Sequence, residues 1–222
     1  MAAWYAGGPP DVGGTTATAL RAYRRSGDPR TSGSAENHAQ ANGSLMRTMP
    51  VAIARLGDMA LRASEARVLS AVTHAHPVCL DACVVYCDIA GALVNGAPVD
   101  AAIDGALERS ELNAEVRAAV GNARGSGDFA FDDLSGPRGG YVLWSLKVAI
   151  RTVTTAPDVE EGLVAVVMLG DDADTNGAIA GGLLGARDGL DGIPSRWTDR
   201  LRLADDLINF ADTALARGGR DV

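Results

Sequence analysis

At 222 residues the chain can bury a full core and is most economically one domain spanning 1–222, and a net charge of −8 argues against a nucleic-acid partner, which would require clustered Lys and Arg. Aromatic residues make up only 5% while Ala and Gly abound, a balance that favours closely packed helices over a sandwich of sheets built on large side chains. No stretch reaches the roughly 18 uninterrupted apolar residues of a membrane span, and the first residues lack a basic start and a long apolar run, so a cytoplasmic protein with no membrane partner is expected.

Gly13-Gly14-Thr15-Thr16 reads as a turn into a short helix over 16–25, with Ala19, Leu20 and Tyr23 at helical spacing. Residues 26–40 hold two Gly, one Pro and many small polar side chains, and read as loop. Asn42-Gly43-Ser44 follows, ahead of an apolar segment over 45–53 that Pro50 either kinks or restarts. Backbone N–H groups at the start of that segment could cradle phosphate oxygens, with Gly43 allowing close approach and the Ser44 hydroxyl adding a donor. A plain turn is the other reading. The triplet also matches a glycosylation sequon, which has no use without export.

Ser64 can cap a helix running to Val72, and Thr73-His74-Ala75-His76-Pro77 breaks it before a long apolar helix over 78–95. On local grounds His74 and His76 are surface or capping residues of that loop. Cys79, Cys83 and Cys87 recur every four residues, a stripe that does not easily close a disulfide; buried thiols in a helix seam are expected, the other reading being a zinc site shared with His76. A further amphipathic helix spans 98–107, with Ala101, Ile103, Ala106 and Leu107 as its buried face.

Residues 113–136 are polar and mixed, and the acid pairs Asp132-Asp133 and Asp205-Asp206 lack a Gly turn or an adjoining Thr, which makes them solvated charge. The run 141–150 is apolar nearly all round. Its length, and the Asp158-x-x-Glu161 capping box after it, indicate a buried helix followed by a second one over 159–169. A last amphipathic helix over 200–216 offers Leu201, Leu203, Ala204, Leu207, Ile208 and Ala211 to the core, and 217–222 should fray.

Between those two regions lies the densest chemistry, Leu169-Gly170-Asp171-Asp172-Ala173-Asp174-Thr175-Asn176-Gly177, ahead of a small-residue helix from Ala178. Carboxylates this close repel one another, so a cation or a set of backbone donors is expected among them. Asp172 and Asp174, two apart in a turn, can point the same way, and Thr175 adds a neutral oxygen; such an all-oxygen corner suits Mg²⁺, Mn²⁺ or Ca²⁺. Helix capping by Asp174 or Thr175 is the competing reading. An EF-hand loop fails because Leu183 stands where its bidentate Glu is required.

That acidic turn, with the Ala178–Ala186 run and Gly189-Leu190-Asp191-Gly192-Ile193-Pro194 beyond it, resembles the C-terminal metal motif of the ADP-ribosylglycohydrolase family. Asn42-Gly43-Ser44-Leu45-Met46-Arg47 is similar to the family's second signature, and the Thr73-His74 loop to its third. The resemblance implies an all-α orthogonal multi-helix bundle of that type and hydrolysis of an ADP-ribose glycosidic bond. It implies Mg²⁺ or Mn²⁺ on Asp172, Asp174 and Thr175, two ions in the complete family site, and ADP-ribose or an ADP-ribosylated substrate held by Asn42, Gly43, Ser44, Met46 and His74. Asp171 departs from it, standing where the family keeps a second Gly. The family's N-terminal Asp-Asp motif, with its water-activating acid, has no counterpart either: before Asn42 the only acids are Asp11, Asp28 and Glu36. An N-terminally truncated domain is therefore expected, with half a coordination shell and a partner chain as a source of the missing helices. The alternative function is a catalytically impaired remnant that binds ADP-ribose or a protein.

Overall fold

The computed structural model describes residues 1–125, 130–132, 134 and 136–218, without the side chains of 217 and 218. Asp133 and the tail expected to fray, 219–222, lie outside the described residues. In chain order the α-helices are α1 (Ala2–Ala6), α2 (Gly14–Ser26), α3 (Met49–Ala54), α4 (Met59–Ala71), α5 (Pro77–Val94), α6 (Val99–Leu107), α7 (Ala114–Ala123), α8 (Val142–Thr155), α9 (Val159–Met168), α10 (Ala173–Asp188), α11 (Ser195–Thr198) and α12 (Ala204–Gly218). Among the described residues β pairing is limited to two isolated bridges, Ser34 with His74 and Ala41 with Tyr141.

The bundle is wrapped around α5. His76 Nδ1 accepts from the Val78 N–H at 3.3 Å and Pro77 opens the first turn, so the helix starts with one orphan donor satisfied and another absent. It ends at Asn95-Gly96, where Gly96 takes a φ of 83° that reverses the chain at little cost. Every residue from Asp81 to Gly91 is buried, and α3, α4, α6, α8 and α10 all pack against it. Each large aliphatic side chain so enclosed, such as Ile89, contributes about 1.5–3 kcal/mol. By length and composition α5 could cross a membrane, but 78% of it is buried inside the protein, as in a core helix.

Two carboxylates on this core helix are matched by cations. Asp88 accepts from Arg62 Nε at 3.0 Å and from Arg109, while Asp81 pairs with Arg67 at 2.5 Å and accepts from the Asn113 N–H at 2.7 Å. Removing one partner of such a buried pair costs about 3–5 kcal/mol, because the remaining charge is stranded.

Small residues explain how α10 lies so close to α5. A methyl group on Gly182 would sit 2.2 Å from Tyr86 Oη and 2.7 Å from Met49 Cε. Tyr86 Oη donates to the Ile179 carbonyl at 2.9 Å across that seam.

Several expectations are corrected. The cap of α4 is Asp58, whose carboxylate accepts from the Leu61 N–H at 2.8 Å, not Ser64, which lies inside the helix. On α6 the buried residues are Ala102, Ile103 and Ala106; Ala101 is exposed. The segment after Asn42 is a 3-10 turn, Leu45–Arg47, with Pro50 restarting the chain as α3. The region read as polar and mixed contains a regular helix, α7, capped by Asn113. Finally, the last helix, α12, begins at Ala204 rather than at 200, and Leu201, Leu203, Leu207 and Ile208, which the spacing offered to the core, are exposed.

Candidate functional site

Asn42 is the hinge pin of the site. It is 5% exposed, and its N–H donates to the Gly140 carbonyl at 2.8 Å, beside the Ala41–Tyr141 bridge that lays this loop along the entrance to α8. Its side-chain Nδ2 donates to Ser145 Oγ and to Asp172 Oδ2, each at 2.8 Å. Two turns 130 residues apart in sequence therefore touch directly. The sequence reading missed Ser145. Its signal was a lone hydroxyl in an otherwise apolar run, and such a residue is retained in a core when it has a partner to satisfy.

His74 completes the group. It is 1% exposed, and its ring lies over Gly43: a methyl group there would be 3.0 Å from His74 Cε1, 3.3 Å from Nε2 and 3.3 Å from Thr16 Oγ1. The bare Gly43 backbone is what lets the ring close in. The His74 backbone is pinned as well, with its N–H donating to the Ser70 carbonyl at 2.7 Å and its carbonyl accepting from Ser70 Oγ at 2.9 Å. Burial, and then the Arg47 charge, hold the imidazole down to about 4, so it is neutral near pH 7. The loop residue that local reasoning placed at the surface is thus inside. His76 serves instead as the cap of α5.

The Ser44 hydroxyl points away from where its position in the motif suggested. The Ser44 side chain is fully buried and its hydroxyl lies 2.8 Å from Ser70 Oγ, within hydrogen-bond reach, and faces the Cys83 thiol, so the hydroxyl expected on a phosphate is turned into the seam between α4 and α5. Met46, by contrast, is half-exposed. Arg47, within the same motif, has its guanidinium against the Gly43 and Leu69 carbonyls and Thr73 Oγ1.

The acidic turn differs in phase from its expectation. Helix α10 begins at Ala173, so Asp172 occupies its N-cap position while Asp174 and Thr175 lie in its first turn. Negative side chains are favoured there by the helix dipole. Asp174 Oδ1 accepts from the Thr175 N–H at 2.9 Å, so part of its role is local. Asp171 has a φ of 54°, a left-handed conformation that glycine adopts freely and Asp tolerates better than most.

In donor chemistry the turn fits a hard cation, and in number only in part. Asp172 Oδ1 and Asp174 Oδ2 make no hydrogen bond among the described residues, and the Thr175 hydroxyl follows directly after Asp174. Yet among the described residues no three His, Cys, Asp or Glu side chains cluster as a metal site. Asn176, 1% exposed with an unpartnered Oδ1, sits one residue further on. Asp174 also borders an apolar hollow of about 480 Å³ walled by Leu163, Val164, Val167, Met168 and Trp197.

The zinc reading of the cysteine stripe falls. Cys79 and Cys87 are pushed up to about 12 by burial, and Cys83 is raised for the same reason. The sulfurs face separate partners: the Ala39 and Ala41 carbonyls, Ser44, and Thr48. They are buried thiols, as the spacing predicted.

With this geometry in hand, the sequence model of ADP-ribosylglycohydrolase matches residues 1–221. The chain belongs to the ADP-ribosylglycohydrolase family. It is 30% identical over 223 residues to the ADP-ribosyl-(dinitrogen reductase) glycohydrolase of Rhodospirillum rubrum, covering all of this chain and 71% of that protein. The ADP-ribosylarginine hydrolase Tri1 of Serratia proteamaculans is 27% identical, covering 91% of this chain and 53% of its own length. A solved structure titled ADP-ribosylglycohydrolase-related protein complex superposes with a TM-score of 0.82 at 30% identity, over 98% of this chain and 71% of that one. The all-α bundle is thus that of the ADP-ribosylglycohydrolase family. The chain spans about half the length of the arginine hydrolase it matches and about seven tenths of the other two proteins.

Proposed function

We propose that this ADP-ribosylglycohydrolase acts in the divalent-metal-dependent hydrolysis of an ADP-ribose glycosidic bond, on a modified side chain or a small molecule. The observation that carries the reading is the hydrogen bond from Asn42 Nδ2 to Asp172 Oδ2, because it joins the Asn42-Gly43-Ser44 turn to the acidic one. The relatives' names, which speak of dinitrogen reductase and of ADP-ribosylarginine, support it. In the net reaction a water oxygen bonds to the anomeric carbon, the bond to the carrier nitrogen or oxygen breaks, and that atom takes a proton. Asn42 would hold the Asp172 carboxylate in one orientation, Gly43 would admit the ligand close to the backbone, Met46 would offer it apolar surface and His74 would lie beside it. Ser44 would contribute through its backbone alone. Asp172, Asp174 and Thr175 would hold Mg²⁺ or Mn²⁺, an ion that supplies positive charge for oxygens of the ribose.

A second reading is ADP-ribose binding without turnover. It is favoured by the lack, before Asn42, of a second acidic motif to complement Asp172 and Asp174: water can fill the open positions of the ion, but each missing carboxylate removes charge attraction and preorganisation. A partner chain contributing further oxygens would then be needed for activity. Incubation of the purified protein with ADP-ribosylated arginine tests both. Release of ADP-ribose above a metal-free control is the expected result. No release, with micromolar ADP-ribose binding by calorimetry, leaves the second reading, and no binding defeats both.

A further inference from the structure

Thr73 makes two contacts that together determine where the proton on His74 sits. Its side chain is fully buried, Arg47 Nη2 donates to its Oγ1 at 2.6 Å, and its Oγ1 lies 2.7 Å from His74 Nδ1. Arginine has only donors, so it takes a lone pair of the threonine oxygen and leaves the hydroxyl hydrogen to be placed. Among the described residues that hydrogen has no other acceptor than His74 Nδ1. A buried hydroxyl with its hydrogen unpaired would cost about 1–3 kcal/mol, so the hydroxyl donates to the ring. Nδ1 is then an acceptor, and the single proton of the neutral imidazole is on Nε2.

We propose that Arg47 and Thr73 are positioning residues that lock His74 as a neutral Nε2–H donor, aimed with the Thr16 hydroxyl at the space above Gly43, where it recognises an anionic or lone-pair oxygen of the ligand. The oxygen belongs to the phosphate or ribose part of an ADP-ribosyl group, and this ligand half rests on the proposed function. His74 is accordingly a fixed donor and not a proton acceptor: its one basic nitrogen is occupied from behind.

Three further observations agree. Arg47 pairs with no carboxylate among the described residues, and its Nε is buried without a partner, so an uncompensated positive charge stands behind the donor, suited to an anion. The same guanidinium holds the Gly43 carbonyl, so one side chain fixes both the turn and the ring. Around the ring, α2 brings Thr16, the loop before Asn42 brings Ser34 and α4 brings Ser70, none of which titrates. The charge that bears on it is Arg47, and beyond Arg47 lies the Cys83 thiol, kept protonated by burial.

Long-range ¹H–¹⁵N correlation spectra of the full chain read the tautomer directly, with His74→Gln assigning the signal among three histidines. The wild type is expected to show His74 neutral with its proton on Nε2 from about pH 5.5 to 8. Thr73→Val, which keeps the shape and removes the hydroxyl, should give a mixture of both tautomers, while Thr73→Ser should retain the wild-type signal. An Nδ1–H ring or an imidazolium in the wild type, or an unchanged Thr73→Val spectrum, overturns the assignment. With circular dichroism unchanged, ADP-ribose affinity should fall about tenfold in Thr73→Val, and equal affinities overturn the ligand half. No ADP-ribose binding by the wild type removes that half together with the proposed function, whereas the spectra decide the tautomer in either case.

Discussion

At the scale of single residues, His74 makes stability depend on pH in a definite direction. Its folded-state value, about 4, lies below the roughly 6.5 of an unfolded chain. Between those values the unfolded chain binds the extra proton and the folded one does not. The contribution is therefore fully present above about pH 6.5 and is lost as the pH falls toward 4. Its size is on the order of 3 kcal/mol. Urea unfolding at a series of pH values should show this slope in the wild type and a flatter one in His74→Gln. Equal slopes would mean that the ring is solvated. What the sequence made legible here was the motif membership of Asn42, Gly43 and His74. What it hid were the contacts that give them their geometry, because Asn42 meets Ser145 and Asp172 more than a hundred residues away. Ser44 shows the converse, a hydroxyl whose motif position suggested a ligand and whose fold gives it Ser70 and Cys83.

Among the elements, the approach of α10 to α5 sets where the acidic turn lies. Gly182 permits that approach, and its absent side chain is matched by Tyr86, whose hydroxyl reaches the Ile179 carbonyl. Gly182→Ala should cost about 1–3 kcal/mol, since the added methyl falls against a buried ring that has no room to withdraw. Thermal unfolding measures it, and a neutral or stabilising result, the usual gain from Ala in an exposed helix, would show that the seam is looser than described. The small-residue composition announced such a seam, though not its register. The expectation of a non-helical turn around Asp172 placed the start of α10 five residues late. An acid in a first helical turn and an acid in a metal loop look alike in sequence, since both answer to local positive charge. In the last helix the periodicity pointed to a helix but not to its burial, which is a tertiary fact that periodicity does not contain.

For the whole molecule, the central claim is that the Asn42 turn and the acidic turn work as one site. Core helix α5 and helices α8 and α10 hold those turns against each other, and the neutral His74 ring lies over the first of them. A double-mutant cycle on ADP-ribose affinity in the presence of Mg²⁺, using Asn42→Ala, Asp172→Asn and the pair, tests this most directly. One shared site predicts that the two losses are coupled, by about 1–3 kcal/mol. Losses that add to within about 0.5 kcal/mol would contradict it.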